Sequence, residues 1–209
     1  MREGRESPSI GFSRRLTNGE SNPFTLVQWE KRDVTITNWQ DDSIVFEQRD
    51  VEFPTDWSIN ASNIVTQKYF WGALGTEQRE KSLKDLLNRV VKQITNWGDE
   101  GGYFASNDER GVFADELMSL LLLQKASFNS PVWFNIGVPD IPQQSSACFI
   151  LSVDDTIDSI LNWYVEEGKI FKGGSGSGAN LSRIRASSEE VSGGGSPSGP
   201  VSFMRGADA

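Results

Sequence analysis

Between Ser145 and Ala186 the chain sets an apolar run, a capped amphipathic segment, a glycine-serine run and a basic alternation in direct succession. That succession limits the fold more than any other stretch. Cys148-Phe-Ile-Leu-Ser-Val153 is short, branched and aromatic, and predicts a buried strand. Asp154, Asp155 and Thr156 offer carboxylate and hydroxyl caps for the unpaired amides of a helix start. Ile157, Ile160, Leu161 and Tyr164 follow at helical spacing on one face, and the helix is expected to give out near Gly168. Gly173-Gly-Ser-Gly-Ser-Gly178 is backbone with few side chains in the way of a ligand. Leu181 to Ala186 predicts a second strand, with Arg183 and Arg185 alternating against Leu181 and Ile184. Strand, helix, strand is the parallel α/β unit. One such unit leaves strand edges unpaired and a helix face uncovered, so it reads as the opening of a larger sheet or barrel.

Composition removes several function classes. Twenty basic against twenty-nine acidic residues give a net charge of −9 over 209 residues, which argues against nucleic acid or an anionic membrane as a partner. There is no histidine, which rules out histidine triads and imidazole metal sites, and the single cysteine rules out a thiolate zinc cluster; no metal site is assigned. One cysteine forms no intrachain disulfide and fits a reducing compartment. The N-terminal residues are polar and charged, unlike a signal peptide, and no apolar run reaches membrane-spanning length, so a cytoplasmic location is expected.

The rest of the chain reads as helical. Residues 1–24 lack periodicity and are expected to be a flexible lead-in. Residues 33–39 and 43–47 carry strand signals joined by a turn at 38–43. Pro54, Asp56 and Ser58 precede a helix expected over 60–70. A second helix is expected from Thr76, with Glu77 and Glu80 in its first turn and a stripe of Leu83, Leu86, Leu87, Val90, Val91 and Ile94, ending at 98–102. A leucine-rich third is expected over 113–126. Residues 128–135 form a short apolar segment broken by Pro131, 138–144 and 187–200 are loops, and 201–209 begins a further helix. The predicted organisation is a lead-in (1–24), a mainly helical domain with a small β-hairpin (25–126) and the start of an α/β barrel (127–209).

Several residues have both a plain and a chemical reading. Cys148 is a small buried hydrophobe or a redox thiol, and the latter needs a partner sulfur this chain lacks. The Gly173–Gly178 run is a linker or a backbone cradle for phosphate or sugar; it matches neither the Walker pattern nor the dinucleotide fingerprint. Asp155 is an N-cap or an acceptor for a ribose or base, and Lys172 and Arg185 are solvated charges or phosphate partners.

Four segments in order carry a resemblance: Phe128-Asn-Ser-Pro-Val-Trp-Phe-Asn-Ile-Gly137, Ser145-Ser-Ala-Cys-Phe-Ile-Leu151, Gly173-Gly-Ser-Gly-Ser-Gly-Ala-Asn-Leu-Ser-Arg-Ile-Arg185, and the run from Gly193 to Ala209. With Phe53-Pro-Thr-Asp-Trp-Ser58 and Lys68-Tyr-Phe-Trp-Gly72, they resemble the large chain of ribonucleotide reductase in its class II, adenosylcobalamin-dependent form, from about Asn22 onward. The resemblance implies a helical N-terminal region followed by the opening strands of a ten-stranded α/β barrel, incomplete in this chain. It implies that Cys148 is one of two thiols that reduce the ribose 2′-position. It further implies that Ser130, Ala147, Cys148 and Gly176 line the ribonucleotide site. Asp155, Thr156, Ile157, Lys172 and Arg185 are implied for a specificity site that binds a deoxynucleotide effector. The implied partners are the remaining C-terminal part of the reductase, as a second chain or missing by truncation, a thioredoxin-type reductant and a second copy in a homodimer. Most adenosylcobalamin contacts are expected outside this chain, as are the radical cysteine, the acid/base residues and the partner of Cys148. The chain alone is therefore expected to be inactive. Rival readings are a deoxynucleotide-binding regulatory fragment without catalysis, a class I large subunit, and a poorly folded remnant.

Overall fold

A computed structural model describes residues 9–208 apart from 190 and 192. The chain divides by internal contacts into two compact units, 1–145 and 146–209.

In the first unit, β1 (Trp29–Thr37) and β2 (Ile44–Pro54) form an antiparallel hairpin. It is followed by α1 (Ile59–Lys68), α2 (Leu83–Glu100), α3 (Asn107–Leu122) and α4 (Ser130–Asn135). The core forms where the α2 stripe meets α3 and one face of the hairpin: Leu83, Leu86, Leu87 and Val90 are buried with Leu121, Leu122, Val51 and Phe53. Each such side chain contributes about 1.5–3 kcal/mol by leaving water. The stripe expected in α2 is the stripe buried.

Several boundaries differ from expectation. α2 starts at Leu83 rather than Thr76: Ser82 and Asp85 form a reciprocal capping box, while Glu80 accepts from the Trp71 amide (2.7 Å) and pairs with Arg89 instead of serving a first turn. α3 begins at Asn107, capped by Ser106, and stops at Leu122 because Gln124 takes a positive φ of 53°. Residues 130–135 are helical, since Pro131 stands in the first turn, where no intrahelical amide is needed. Residues 127–145, expected with the barrel, group with the first unit because Val132, Trp133 and Ile136 enter its core. Of the lead-in, residues 1–8 lie outside the described residues, and residues 9–17 are held along α3 by its carboxylates.

In the second unit, β3 (Cys148–Ser152), α5 (Ile157–Lys172) and β4 (Gly176–Asn180) form the expected parallel unit, and α6 (Pro200–Asp208) follows. Three expectations fail. β3 is not a buried strand: none of its residues is buried and Ile150 is 90% exposed, since a two-stranded sheet flanked by one helix covers at most one of its faces. α5 runs through Gly168 and ends at Gly173, because Ile170 is buried and packing outweighs the glycine's poor propensity. The second strand is the glycine run, not residues 181–186. Ladder hydrogen bonds use backbone alone, and the Asn180 side chain accepts from the Ser182 amide (3.1 Å), turning the chain at the point where the predicted strand begins. Leu181 and Ile184 still face the small core of Val153, Ile160 and Trp163, from a turn. Among the described residues no helix is long and apolar enough to cross a membrane.

Candidate functional site

Polar residues follow directly on β3, beyond the fully buried Val153. Thr156 caps α5, its hydroxyl accepting from the Ser159 amide (3.2 Å), and the Ser159 hydroxyl accepts from the Asp154 amide (3.0 Å). The caps are thus supplied by hydroxyls, and both aspartates are left for other partners. Arg183 donates to Asp154 (2.6 Å) and Arg185 to Asp155 (2.5 Å). The hydrogen bond from Arg185 is the largest of the effects that hold the Asp155 carboxyl below the usual carboxylate range.

Beside this pair lies a cavity of about 420 Å³, large enough for a small organic ligand. Asp155, Thr156, Ile157 and Arg185 stand on one side; Ile160, Ile184, Phe203 and the Gly194–Gly199 loop complete it. Tyr164 donates to the Phe203 carbonyl (2.7 Å) and ties α6 to α5. Gly206 permits that approach, since a Cβ there would stand 2.7 Å from the Tyr164 hydroxyl. The guanidinium and the first-turn amides of α5 favour an anionic group, and the Asp155 carboxylate accepts from a hydroxyl or ring N–H. One cavity therefore offers complementary handles for a phosphate and for a sugar or base.

A second cluster sits at the other end of β3. Cys148 pairs in register with Gly176, is exposed, and is a free thiol. The carbonyl of Ala147 accepts from the Gly176 amide (2.8 Å). Ser175 donates to the Ser146 carbonyl, and Ser177 donates to Glu167, fastening β4 to α5. The glycine run is thus an ordered strand rather than a linker, with no side chain at Gly176 to cover the neighbouring thiol. The two clusters are separated by the five residues of β3, about 16 Å.

The structure therefore joins Asp155, Thr156, Ile157 and Arg185 in one cavity, and Ala147, Cys148 and Gly176 in another cluster. Lys172 joins neither: it ends α5, whose 16 residues carry it about 24 Å from Thr156. Ser130 belongs to the first unit, at the start of α4, with its hydroxyl 3.1 Å from that of Tyr69. Sequence reasoning missed the Asp154–Arg183 pair and the wall made by Phe203 and the 194–199 loop. The first had a signal, two adjacent acids followed by two arginines, but the arginines were absorbed into a strand pattern. The wall is made by residues some forty positions from Asp155 and left no local trace.

Residues 30–124 match the family model described as class II vitamin B12-dependent ribonucleotide reductase, and residues 146–209 match the ribonucleotide reductase barrel domain. The vitamin B12-dependent ribonucleotide reductase of Streptomyces coelicolor is 63% identical over 188 residues, covering 90% of this chain and 19% of its own length. That of Streptomyces avermitilis is 58% identical over 207 residues, 99% of this chain and 21% of its own length. A vitamin B12-dependent ribonucleoside-diphosphate reductase of Thermoplasma acidophilum is 42% identical over 134 residues, 64% of this chain and 16% of its own length. The chain thus spans about one fifth of the length of the first two relatives. With both of its units matched in order, one to the class II model and the other to the reductase barrel, the chain belongs to the class II, vitamin B12-dependent ribonucleotide reductase family.

Proposed function

We propose that this chain supplies the opening of a ten-stranded reductase barrel, with one redox thiol, part of the ribonucleotide site and part of a deoxynucleotide specificity site. The observation that carries the reading is the pairing of Cys148 with Gly176 at the head of two parallel strands, in the same unit as the Asp155–Arg185 cavity. An exposed thiol beside bare backbone admits a sugar closely. Cys148 and a second thiol outside this chain each give up a hydrogen and form a disulfide; one hydrogen leaves with the ribose 2′-hydroxyl as water, and the other replaces that hydroxyl on C2′. A thioredoxin-type reductant then restores both thiols. Ser130 and the backbone at Ala147 and Gly176 contribute to holding the ribonucleotide.

In the specificity site, Arg185 faces the effector phosphates and Asp155 its sugar, with Thr156 and Ile157 beside them. Lys172, at the far end of the same helix, is positioned to relay effector binding toward the Gly176 end of the unit rather than to share one ligand with Asp155. Adenosylcobalamin, the cofactor this family membership implies, does not fit the residues present. The Asp155–Arg185 cavity, about 420 Å³, suits a drug-sized or nucleotide-sized ligand, and a corrinoid is larger than that. Its contacts belong to the remaining part of the reductase, and no step here passes through it.

The test is Cys148→Ser in the reductase reassembled from this chain and the rest of the protein. Loss of deoxynucleotide formation with effector binding unchanged supports the reading, and retained turnover refutes it. A binding-only reading is favoured by one fact: Asp155 and Arg185 both lie in this chain. Calorimetry of deoxynucleotides against the chain alone, with Arg185→Gln as control, decides whether it senses effectors unaided.

A further inference from the structure

A further cavity lies in the first unit and shares no residue with the clusters around Cys148 and Asp155. It measures about 550 Å³ and opens between α2, α3 and the short segment at Asn22–Phe24. Its origin is a matter of side-chain size. Where Leu86, Leu87, Leu121 and Leu122 fill the gap between the two helices, only a smaller cavity of about 180 Å³ remains. Nearer the start of α3, Gly111 and Ala114 supply almost no volume, and a larger space stays open. A Cβ built on Gly111 would meet no atom within 4 Å. The floor is apolar, made by Val91, Met118 and Phe24, and the rim is polar, with Asn88, Asn96 and Asn107.

The charges around it are unequal. Lys92 and Arg110 line the cavity, and among the described residues neither is paired with a carboxylate; Arg110 donates only to the neutral Asn96 (3.0 Å). The one carboxylate in the lining, Asp115, is already neutralised by Arg14 at 2.8 Å. Both cations therefore have charge to offer a ligand in this apolar-floored cavity. Thr95, buried in the same lining, carries a hydroxyl with no hydrogen-bond partner among the described residues.

We propose that this cavity binds a small organic phosphate monoester. The phosphate dianion sits between Lys92 and Arg110, the side-chain amides on the rim take hydroxyls or heteroatoms of the ligand, and its apolar part lies on Met118, Val91 and Phe24. A dianion matches two cations, and the cavity volume matches a metabolite-sized molecule. The assignment uses only residues of the first unit and stands apart from the reductase reading.

The test titrates phenyl phosphate into the full chain carrying Arg185→Gln, which silences phosphate binding at the second unit, followed by calorimetry and by shifts of the amides of α2 and α3. Saturable binding at about 1 mM or tighter, tighter than inorganic phosphate or benzoate, is the expected result for a ligand of this size. Lys92→Gln and Arg110→Gln should each weaken it by about tenfold or more, the loss expected for one charge-assisted contact. Gly111→Leu places a side chain at the cavity from a helical position where a Cβ meets no atom within 4 Å, and should abolish binding while leaving the unfolding midpoint unchanged or raised. Binding that is indifferent to Arg110→Gln and Gly111→Leu overturns the assignment. So does benzoate or inorganic phosphate binding as tightly as phenyl phosphate, or no binding at all.

Discussion

Two arginine–carboxylate pairs show how differently an ion pair can act in one chain. Arg89 and Glu80 meet at 2.7 Å with side chains only 9% and 8% exposed, and Arg89 also donates to the carbonyls of Ile136 (2.7 Å) and Trp133 (3.1 Å). That guanidinium joins α2 to α4 and to the irregular segment before α2. Arg89→Ala leaves Glu80 buried without its cation, and a loss of about 3–5 kcal/mol is expected in urea unfolding. Asp155 and Arg185 are far more open, and their pairing matters to the cavity rather than to stability. Because Asp155 is held below the usual carboxylate range, its pair with Arg185 is formed above the ordinary value of 3.8 and is lost as pH falls through the lowered one. Anion binding at this cavity should therefore be flat near neutrality. An Asp155→Ala chain should keep phosphate affinity while losing discrimination among effectors, which competition binding would read. Asp155, Thr156, Ile157 and Arg185, which line this cavity, were singled out in the sequence, while its Phe203 and 194–199 wall was not. Nor was the partnership of Asp154 with Arg183, because 29 positions separate them and only the turn after Asn180 brings them together.

At the scale of elements, α3 fastens the segment before the hairpin. Glu109 accepts from the Ser9 hydroxyl (2.6 Å) and the Phe12 amide (2.8 Å), Asp115 holds Arg14, and Glu116 accepts from the Leu16 and Thr17 amides (both 2.9 Å). Phe12 packs edge-on against Phe113 at 4.9 Å. The hydrogen bond from Ser9 is the largest of the causes that lower the Glu109 carboxyl from its ordinary 4.5 to about 2. A depressed folded value means that its contribution is complete above pH 4.5 and disappears as pH falls toward 2. Hydrogen exchange at the Phe12 amide should thus be slow at neutral pH, lose protection through that acid window, and be fast at pH 7 in Glu109→Ala. Equal protection in the variant would show that the ring contacts alone hold the segment. Composition read this stretch as a lead-in because its few apolar residues have no period; its anchors are carboxylates a hundred residues away. The α2 stripe was legible for the opposite reason, since its six apolar positions are local and periodic. Element ends were less so: Ser82, Ser106 and Thr156 are ordinary polar residues until the fold gives them an amide to cap.

At the scale of the molecule, the two units differ in what they bury. The first buries the hairpin face, the α2 stripe and Trp133 in one cluster, while the second relies on Val153, Ile160, Trp163 and Ile184. A unit of about 60 residues with so small a core is marginal by itself. Amides of β3, β4 and α5 should therefore exchange faster, and at lower denaturant, than those of α2; coincident exchange would refute independent behaviour. Leu87→Ala should cost about 2–5 kcal/mol in the first unit and leave exchange in the second unchanged.

The sequence by itself determined the hairpin, the long helices, the buried face of α2, the strand–helix–strand order around Cys148 and the family, because each of these is written in neighbours or in short ordered motifs. Only the tertiary structure decided which segment became the second strand of that unit, which carboxylate each arginine meets, and where two helices leave a cavity between them. Those outcomes depend on backbone pairing and on the sum of side-chain volumes from distant elements, quantities that no single stretch of the chain contains.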